Sequence, residues 1–348
     1  MAKVTVQELL AQYDYEYEKY VRLEQVAAQM IEDIVAENDL FVMEIMHRTK
    51  DPEALQSKIV RKNGKYRKLT DVTDLVGIRI ICYFSDSVDE IAAKIAEVFD
   101  IDKKNSIDKR ATLSATQFGY LSLHYICMIR EDADCSDDIK GIPFEVQMRT
   151  VLQHAWAEIE HDLGYKSDFG VPRGIRRQFS QTASILEVAD RQFVEIRDHA
   201  ADYTVSVRRK IADDNATSVL VDKISLKEYI THNKFYLAML GRIRDKYGID
   251  IDFVETDSTI AQLEWLNINT IEDLTKLFQR NEGSLDSYFT RLSEEYGVDI
   301  ISSNALFKNV FYSELKNEKY TREQIRRFLM LSIYDDKKLE KTINKILA

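Results

Sequence analysis

The sequence predicts an α+β chain. Strands and helices alternate in a first domain, residues 1–210, and a mostly helical domain follows over 219–348. Three observations carry this reading. Apolar, β-branched runs such as "LVGIRIICYF" and "FGYLSLHYICMIR" are separated by stretches of helical spacing. Only three prolines and eleven glycines occur in 348 residues, which favours long regular elements. The polar stretch "RRKIADDNATS", Arg208–Ser218, interrupts the pattern and marks the boundary.

The elements follow in order. "TVQELLAQYDYEYEKYVRLEQVAAQMIEDIVAEN" predicts a long helix, with Thr5 and Glu8 as a capping box. Tyr13, Tyr17 and Tyr20 recur at helical spacing, so "YDYEYEKY" reads as a packing face rather than a binding strip. Leu40–His47 reads as a strand that ends in bases, and Pro52 opens a helix at its first position. "DVTDLVGIRIICYFSD" predicts a strand buried on both faces. A helix follows, with Ser87 as N-cap and Glu90 three residues on. "FGYLSLHYICMIR" and "GIPFEVQMR" predict two more strands. Thr150 and Gln153 then cap a helix whose apolar stripe is Val151, Ala155, Trp156, Ile159 and Leu163. "PRGIRRQFSQTASILEVADRQFVEIRDHAADYTV" reads as one or two further helices. Beyond the boundary, "LGRIRDKYGIDI" is echoed by "FTRLSEEYGVDI" 49 residues later. In each copy a glycine, Gly248 or Gly297, stops a helix before a short extended piece.

Composition excludes several classes. The longest apolar runs fall well short of the ~20 residues of a membrane span, and the acidic, polar N-terminus is neither a signal nor a transit peptide. Cys82, Cys127 and Cys135 lack CxxC spacing, so they read as reduced thiols of a cytoplasmic protein and as poor zinc ligands. The net charge of −11 divides into −9 for residues 1–220 and −2 for 221–348. A site for anions in the first part must therefore be local, built from a few convergent bases. The basic "RRFLMLSIYDDKK" is diluted by acids and reads as a solvated helix.

Charge stands where core strands should be apolar. Asp74 opens one strand and Arg79 lies inside it. Another strand carries Glu145, Gln147 and Arg149 on one face, opposite Phe144, Val146 and Met148. His47, Arg48 and Lys50 end a third strand, and Lys58 lies one helix later. Buried charge needs a partner or an ion. Two carboxylates with a cluster of bases suit metal-dependent phosphoryl transfer: Asp74 and Glu145 on Mg²⁺, and bases against phosphate charge. A buried Asp–Arg pair that only fixes the fold accounts for the same residues.

The motifs "HRTKDPEALQSKIVRKNGKY", "DLVGIRIICYFSD", "FGYLSLHY" and "EVQMRT…HAWAEIEHDLGYK", in this order, resemble the synthetase domain of the RelA/SpoT alarmone synthetases. The resemblance runs from about Leu40 to Lys166. It implies a nucleotidyltransferase-like mixed sheet and transfer of the β,γ-pyrophosphate of ATP to the 3′-hydroxyl of GDP or GTP, with AMP leaving. By that resemblance Asp74 and Glu145 hold Mg²⁺, with Mn²⁺ as the alternative ion, and Glu145 draws the proton. Arg48 and Arg79 flank the adenine, while Lys50 and Lys58 hold ATP phosphates. Tyr120 stacks on the acceptor base, and His124, Gln147 and His154 line the acceptor pocket. Arg149 supports the carboxylates and the start of the helix, Trp156 packs, and His161 belongs to the motif. No second His/Asp cluster suggests the alarmone-hydrolase domain of long members.

The departures lie on the acceptor side. Leu121 replaces the Arg of "GYRSLH", and "DKRATLSATQF" replaces the segment with a phosphate-binding Lys, a role for which Lys103, Lys104, Lys109 and Arg110 are the substitutes in reach. Ala54 stands for a Ser and His154 for an Asn. These changes leave open a toxin-type member acting on the 3′ end of tRNA or on an adenine nucleotide. A nucleotide-binding module without catalysis is the other alternative. No membrane partner is expected, and a homo-oligomer is left open.

Overall fold

The computed structural model describes residues 5–62, 65–108, 122–164, 172–213, 215–254, 257–317 and 320–348. They form two compact units, Met1–Arg197 and Asp198–Ala348. No helix among the described residues is long and apolar enough to cross a membrane.

The first unit begins with α1 (Val6–Glu37). Its capping box forms as the sequence predicts: Glu8 N donates to Thr5 Oγ1 at 3.2 Å, and Thr5 N donates to Glu8 Oε2 at 2.7 Å. Tyr13 and Tyr20 are fully buried, together with Leu23, Ala27 and Ile31 on the same stripe. The tyrosine strip is therefore a packing face. After it come β1 (Val42–Thr49), α2 (Pro52–Arg61), β2 (Val76–Cys82), α3 (Ser85–Val98), β3 (Asp100–Ile101), β4 (Ile107–Asp108), β5 (Leu123–Met128) and β6 (Phe144–Thr150). The sheet order is β1-β2-β6-β5-β3, with β4 also on β5. Strands β2 and β6 run parallel and every other pair is antiparallel, so the sheet is mixed.

The sheet has two unlike faces. Val76, Ile78 and Ile80 of β2 and Phe144, Val146 and Met148 of β6 are buried in one core with α1, α2 and α3. Alternation sends Gly77, Arg79, Glu145 and Gln147 to the opposite face, where all four are half-buried. The expectation that β2 is buried on both faces thus holds for one face throughout and for the other only at Ile81, failing at Gly77 and Arg79. The reason is that its second face opens on a pocket.

Helix α4 (Val151–Gly164) follows β6 directly. Its box also forms: Gln153 N donates to Thr150 Oγ1 at 3.1 Å, and Thr150 N donates to Gln153 Oε1 at 3.0 Å. Trp156 is buried, with Nε1 donating to Phe179 O at 3.2 Å. The predicted stripe fails at Ala155, which is exposed, and again beyond Trp156. Ile159 is 54 % and Leu163 67 % exposed, because among the described residues only the early part of α4 is covered. A second correction concerns α3, which starts at Ser85, two residues before the expected Ser87 cap. Asp86 explains the shift. Its carboxylate accepts from Ser87 N at 2.9 Å and from both Arg197 nitrogens at 3.0 and 2.6 Å, so the first turn is already satisfied and neutralised.

Helix α5 (Arg173–Ala212) is one element of 40 residues and gives its last turns to the second unit. That unit comprises α6 (Lys223–His232), α7 (Lys234–Tyr247), β7 (Asp250–Asp252), α8 (Asp257–Trp265), α9 (Ile271–Arg280), α10 (Glu282–Tyr296), β8 (Ile300–Ser302), α11 (Ser303–Asn317), α12 (Arg322–Met330) and α13 (Asp336–Leu347). Its core holds Tyr229, Tyr236, Phe278, Phe289, Phe307, Phe311 and Phe328. The internal echo has a structural meaning. Gly248 (φ +68°) and Gly297 (φ +59°) end α7 and α10 in the left-handed region. The extended pieces after them, β7 and β8, pair in parallel, Asp250 opposite Ile300.

Candidate active site

Register brings the charged residues together. Arg48 of β1 lies opposite Gly77 of β2, and Gly77 lies opposite Glu145 of β6. Arg79 is opposite Met46 on one side and Gln147 on the other, and Gln147 is in turn opposite His124 of β5. One pocket on this open face is lined by Arg48, Lys50, Asp74, Arg79, Glu145 and Gln147, with Gly77 among them. A Cβ built on Gly77 would meet nothing within 4 Å, so any side chain there would project into open space.

Asp74 sits in the turn before β2, and two lysines hold it. Lys50 Nζ is 3.1 Å from Oδ2 and Lys58 Nζ is 2.5 Å from Oδ1. Burial alone would raise the pKa of this carboxyl, but the two ammonium groups win and hold it below the usual carboxylate range. The Lys50 backbone is itself fixed, because Tyr13 Oη of α1 donates to Lys50 O at 2.6 Å.

Glu145 is held by neutral and basic donors. His124 Nδ1 is 2.9 Å from Oε1, and Gln147 Nε2 donates to Oε2 at 2.8 Å. Burial and the Asp74 charge push its pKa up, yet the His124 hydrogen bond and charge bring it below the usual range. A carboxylate has no proton to give, so His124 Nδ1 carries the hydrogen. His124 Nε2 lies 2.7 Å from Ser122 Oγ. The Ser122–His124–Glu145 line has the order of a nucleophilic triad. Ser122 is only 1 % exposed, however, so its hydroxyl orients the imidazole and cannot meet a substrate.

Glu158 on α4 gathers the remaining bases. Its Oε1 lies 2.9 Å from Arg79 Nη1, 3.5 Å from Arg149 Nη2 and 3.6 Å from His154 Nδ1. Burial and the Arg149 and Arg79 charges lower the His154 pKa, against the pull of Glu158. Arg149 is buried beneath the helix start. His154 belongs to this second group, and Tyr120 lies outside the described residues, as do Lys109 and Arg110. Lys103 and Lys104 are exposed on the turn after β3.

Sequence reasoning missed four supporting residues. Glu158 stands four residues after His154, a helical spacing that points to it. Ser122 stands two residues before His124, on the same strand face. Glu24 of α1 binds His47 Nδ1 at 2.7 Å and also accepts from Thr49 Oγ1; only the tertiary fold brings it there. Asp190 of α5 accepts from Thr150 Oγ1 at 2.8 Å, again across the fold. Among the described residues no group of three or more His, Cys, Asp or Glu is arranged for a metal ion. Burial pushes the Cys82 thiol up to about 12 and raises that of Cys127, which makes both unreactive.

Part of the chain is similar to known proteins. Residues 47–169 match the family model described as the region found in RelA / SpoT proteins. The GTP pyrophosphokinase YjbM of Bacillus subtilis (strain 168) is 24 % identical over 164 residues, 47 % of this chain and 75 % of the relative. YwaC of the same organism, also a GTP pyrophosphokinase, is 26 % identical over 153 residues, 43 % of this chain and 71 % of the relative. Among solved structures, the small alarmone synthetase 1 from Bacillus subtilis superposes with a TM-score of 0.47 at 20 % identity, covering 55 % of this chain and 99 % of the other. A GTP pyrophosphokinase family protein from Streptococcus pneumoniae gives 0.47 at 24 %, covering 55 % and 96 %. The likeness to the region found in RelA / SpoT proteins thus covers residues 47–169, and GTP pyrophosphokinases are among the relatives of this part of the chain.

Proposed function

We propose that the first unit transfers the β,γ-pyrophosphate of ATP to the 3′-hydroxyl of GDP or GTP. The observation that carries this reading is the single pocket in which Asp74 and Glu145 share the open sheet face with Arg48, Lys50 and Arg79. The 3′-oxygen attacks the β-phosphorus and forms the new P–O bond. The bond from that phosphorus to the α-phosphate oxygen breaks, and AMP leaves. The proton of the 3′-hydroxyl passes to Glu145, which is ionised at neutral pH and within one hydrogen bond of His124. Gln147 fixes the other carboxylate oxygen and so the direction of approach.

Lys50 and Lys58 stand at Asp74, where the polyphosphate would bring charge, and neutralise it as it shifts toward the leaving AMP. Arg48 and Arg79 offer flat guanidinium faces for the adenine. His154 lines the acceptor side. The donor set fits a hard divalent cation such as Mg²⁺. Asp74 and Glu145 are both carboxylates in one pocket, and the negative charge of Asp74 is felt at Glu145. When bound there, the ion would supply charge neutralisation to the phosphate oxygens.

The test is purified protein with ATP, Mg²⁺ and competing acceptors: GDP, GTP, ATP and tRNA. AMP release with formation of the 3′-pyrophosphorylated guanine nucleotide is the expected result. Nucleotide binding without AMP would sink the reading, and transfer to tRNA or to an adenine nucleotide would replace the acceptor. Glu145→Gln should lower transfer by roughly 10²–10⁴-fold with the fold intact. Gly77→Val should also block it, by filling the pocket floor.

A further inference from the structure

We propose that the second unit carries a binding site of its own for a nucleoside polyphosphate, in the groove between α10, α11 and the end of α13. It does not depend on the reading given for the sheet pocket. The groove measures about 760 Å³ and lies wholly within residues 284–346. That volume falls within the ~300–1,000 Å³ of small-molecule sites.

Its lining is unusual for this chain. Arg291, Lys308, Lys316 and Lys345 converge on the groove, and no carboxylate lines it. Elsewhere in the unit, bases are matched with acids: Arg242 with Glu282, Lys246 with Asp286, Arg280 with Glu314, and Arg322 with Glu340. Among the described residues, none of the four groove cations ion-pairs with a carboxylate. Four like charges around one concavity repel each other, and a bound polyanion would relieve that repulsion. The segment 221–348 has a net charge of −2, so the cationic field is local to the groove.

Two further features select a nucleoside over bare phosphate. Tyr288 and Tyr312 are half-buried in the groove, one on each helix, and present rings on which a base can stack. Burial raises the pKa of Tyr288 while the Arg291 charge lowers it, so ring and guanidinium are neighbours. Asn309 also lines the groove, and its Oδ1 is shielded from solvent with no hydrogen-bond partner among the described residues. An orphaned acceptor costs stability until a donor reaches it. Phosphate oxygens cannot donate, whereas base amino groups and ribose hydroxyls can.

The sequence builds this face by helical spacing. Ser284, Ser287, Tyr288 and Arg291 follow the i, i+3, i+4, i+7 rule on α10, and Asn309, Tyr312, Ser313 and Lys316 follow it on α11, with Lys308 next to Asn309. The opposite faces carry Leu285, Phe289, Phe307 and Phe311 into the core. The groove is therefore a second, outward stripe on helices already packed.

Calorimetric titration of the full chain with GTP, ATP and tripolyphosphate tests this. Wild type should bind one equivalent of nucleotide that Arg291→Ala/Lys308→Ala binds at least about tenfold more weakly. That equivalent should survive Arg48→Ala/Lys50→Ala, which addresses only the sheet pocket. Tripolyphosphate should bind the groove more weakly than either nucleotide, and Asn309→Ala should narrow that gap. Both replaced bases are exposed, and Lys308→Glu gives an independent variant if the double one melts early. Equal numbers and affinities of equivalents in wild type and groove variants would overturn the proposal. So would a groove that binds single-stranded RNA and no free nucleotide.

Discussion

Glu145 and His124 are joined across the β5–β6 pair by a 2.9 Å hydrogen bond from Nδ1 to Oε1, and this bond sets the acidity of the carboxylate. Without it, burial and the nearby Asp74 charge would push the Glu145 pKa up rather than down. His124→Phe keeps a ring in place and removes the donor. The acid limb of the pH profile of kcat/KM should then move to higher pH, because a group of raised pKa loses its ionised form earlier as pH falls. An acid limb that stays in place, or moves down, would separate His124 from the base.

Asp74 tests the same logic on stability. Its folded pKa lies below the unfolded value because of Lys58 and Lys50, so the pairing stabilises the fold above the unfolded pKa of about 3.9. That stabilisation is lost as pH falls through the depressed folded value. Lys58→Met removes one of the two partners. It should cost roughly 1–2 kcal/mol at neutral pH, and the difference from wild type should shrink in acid. Thermal melts of both proteins between neutral and acid pH measure it. A deficit that persists in acid would assign the effect to packing of the lysine stem.

What the sequence made legible follows from where the physics is local. Capping at Thr5 and Thr150 and the αL stops at Gly248 and Gly297 depend on residues within a few positions, and they formed as read. The shared face of Glu145 and Gln147 follows from strand alternation alone. Ser87 misled because a distant residue, Arg197, neutralises Asp86 and lets the helix begin early. The stripe at Ile159 and Leu163 misled because periodicity says which residues share a face but not whether anything covers it. Glu24 and Asp190 carried no local signal; they reach the site from α1 and α5 only once the chain has folded.

Arg79 and Glu158 form a 2.9 Å ion pair at the mouth of the pocket. Arg79 Nη1 donates to the carboxylate, so under the proposed function the pair orients the guanidinium rather than competing with the adenine. Glu158 is half-exposed, so Glu158→Ala should change stability by no more than about 1 kcal/mol. KM for ATP should rise several-fold with kcat little changed, and Glu158→Gln, which keeps an acceptor oxygen, should restore part of the loss. A fall in KM would mean that the pair competes with the nucleotide.

Asp190 is buried against the junction of β6 and α4, where Thr150 Oγ1 donates to its Oδ2 at 2.8 Å. Burial raises its pKa to about 6, against a partial offset from Thr150. A folded pKa above the unfolded one means the protonated form favours the fold. The advantage is complete below about 3.9, fades through about 6, and is absent at neutral pH, where the ionised carboxylate burdens the structure. Asp190→Asn keeps an acceptor for Thr150 and removes the charge. The variant should be more stable than wild type by about 1–2 kcal/mol at pH 7.5, and the two should converge near pH 4. Urea unfolding at both pH values measures this. A variant less stable than wild type at pH 7.5 would show that the carboxylate is held by a charge partner and that its ionised form supports the start of α4.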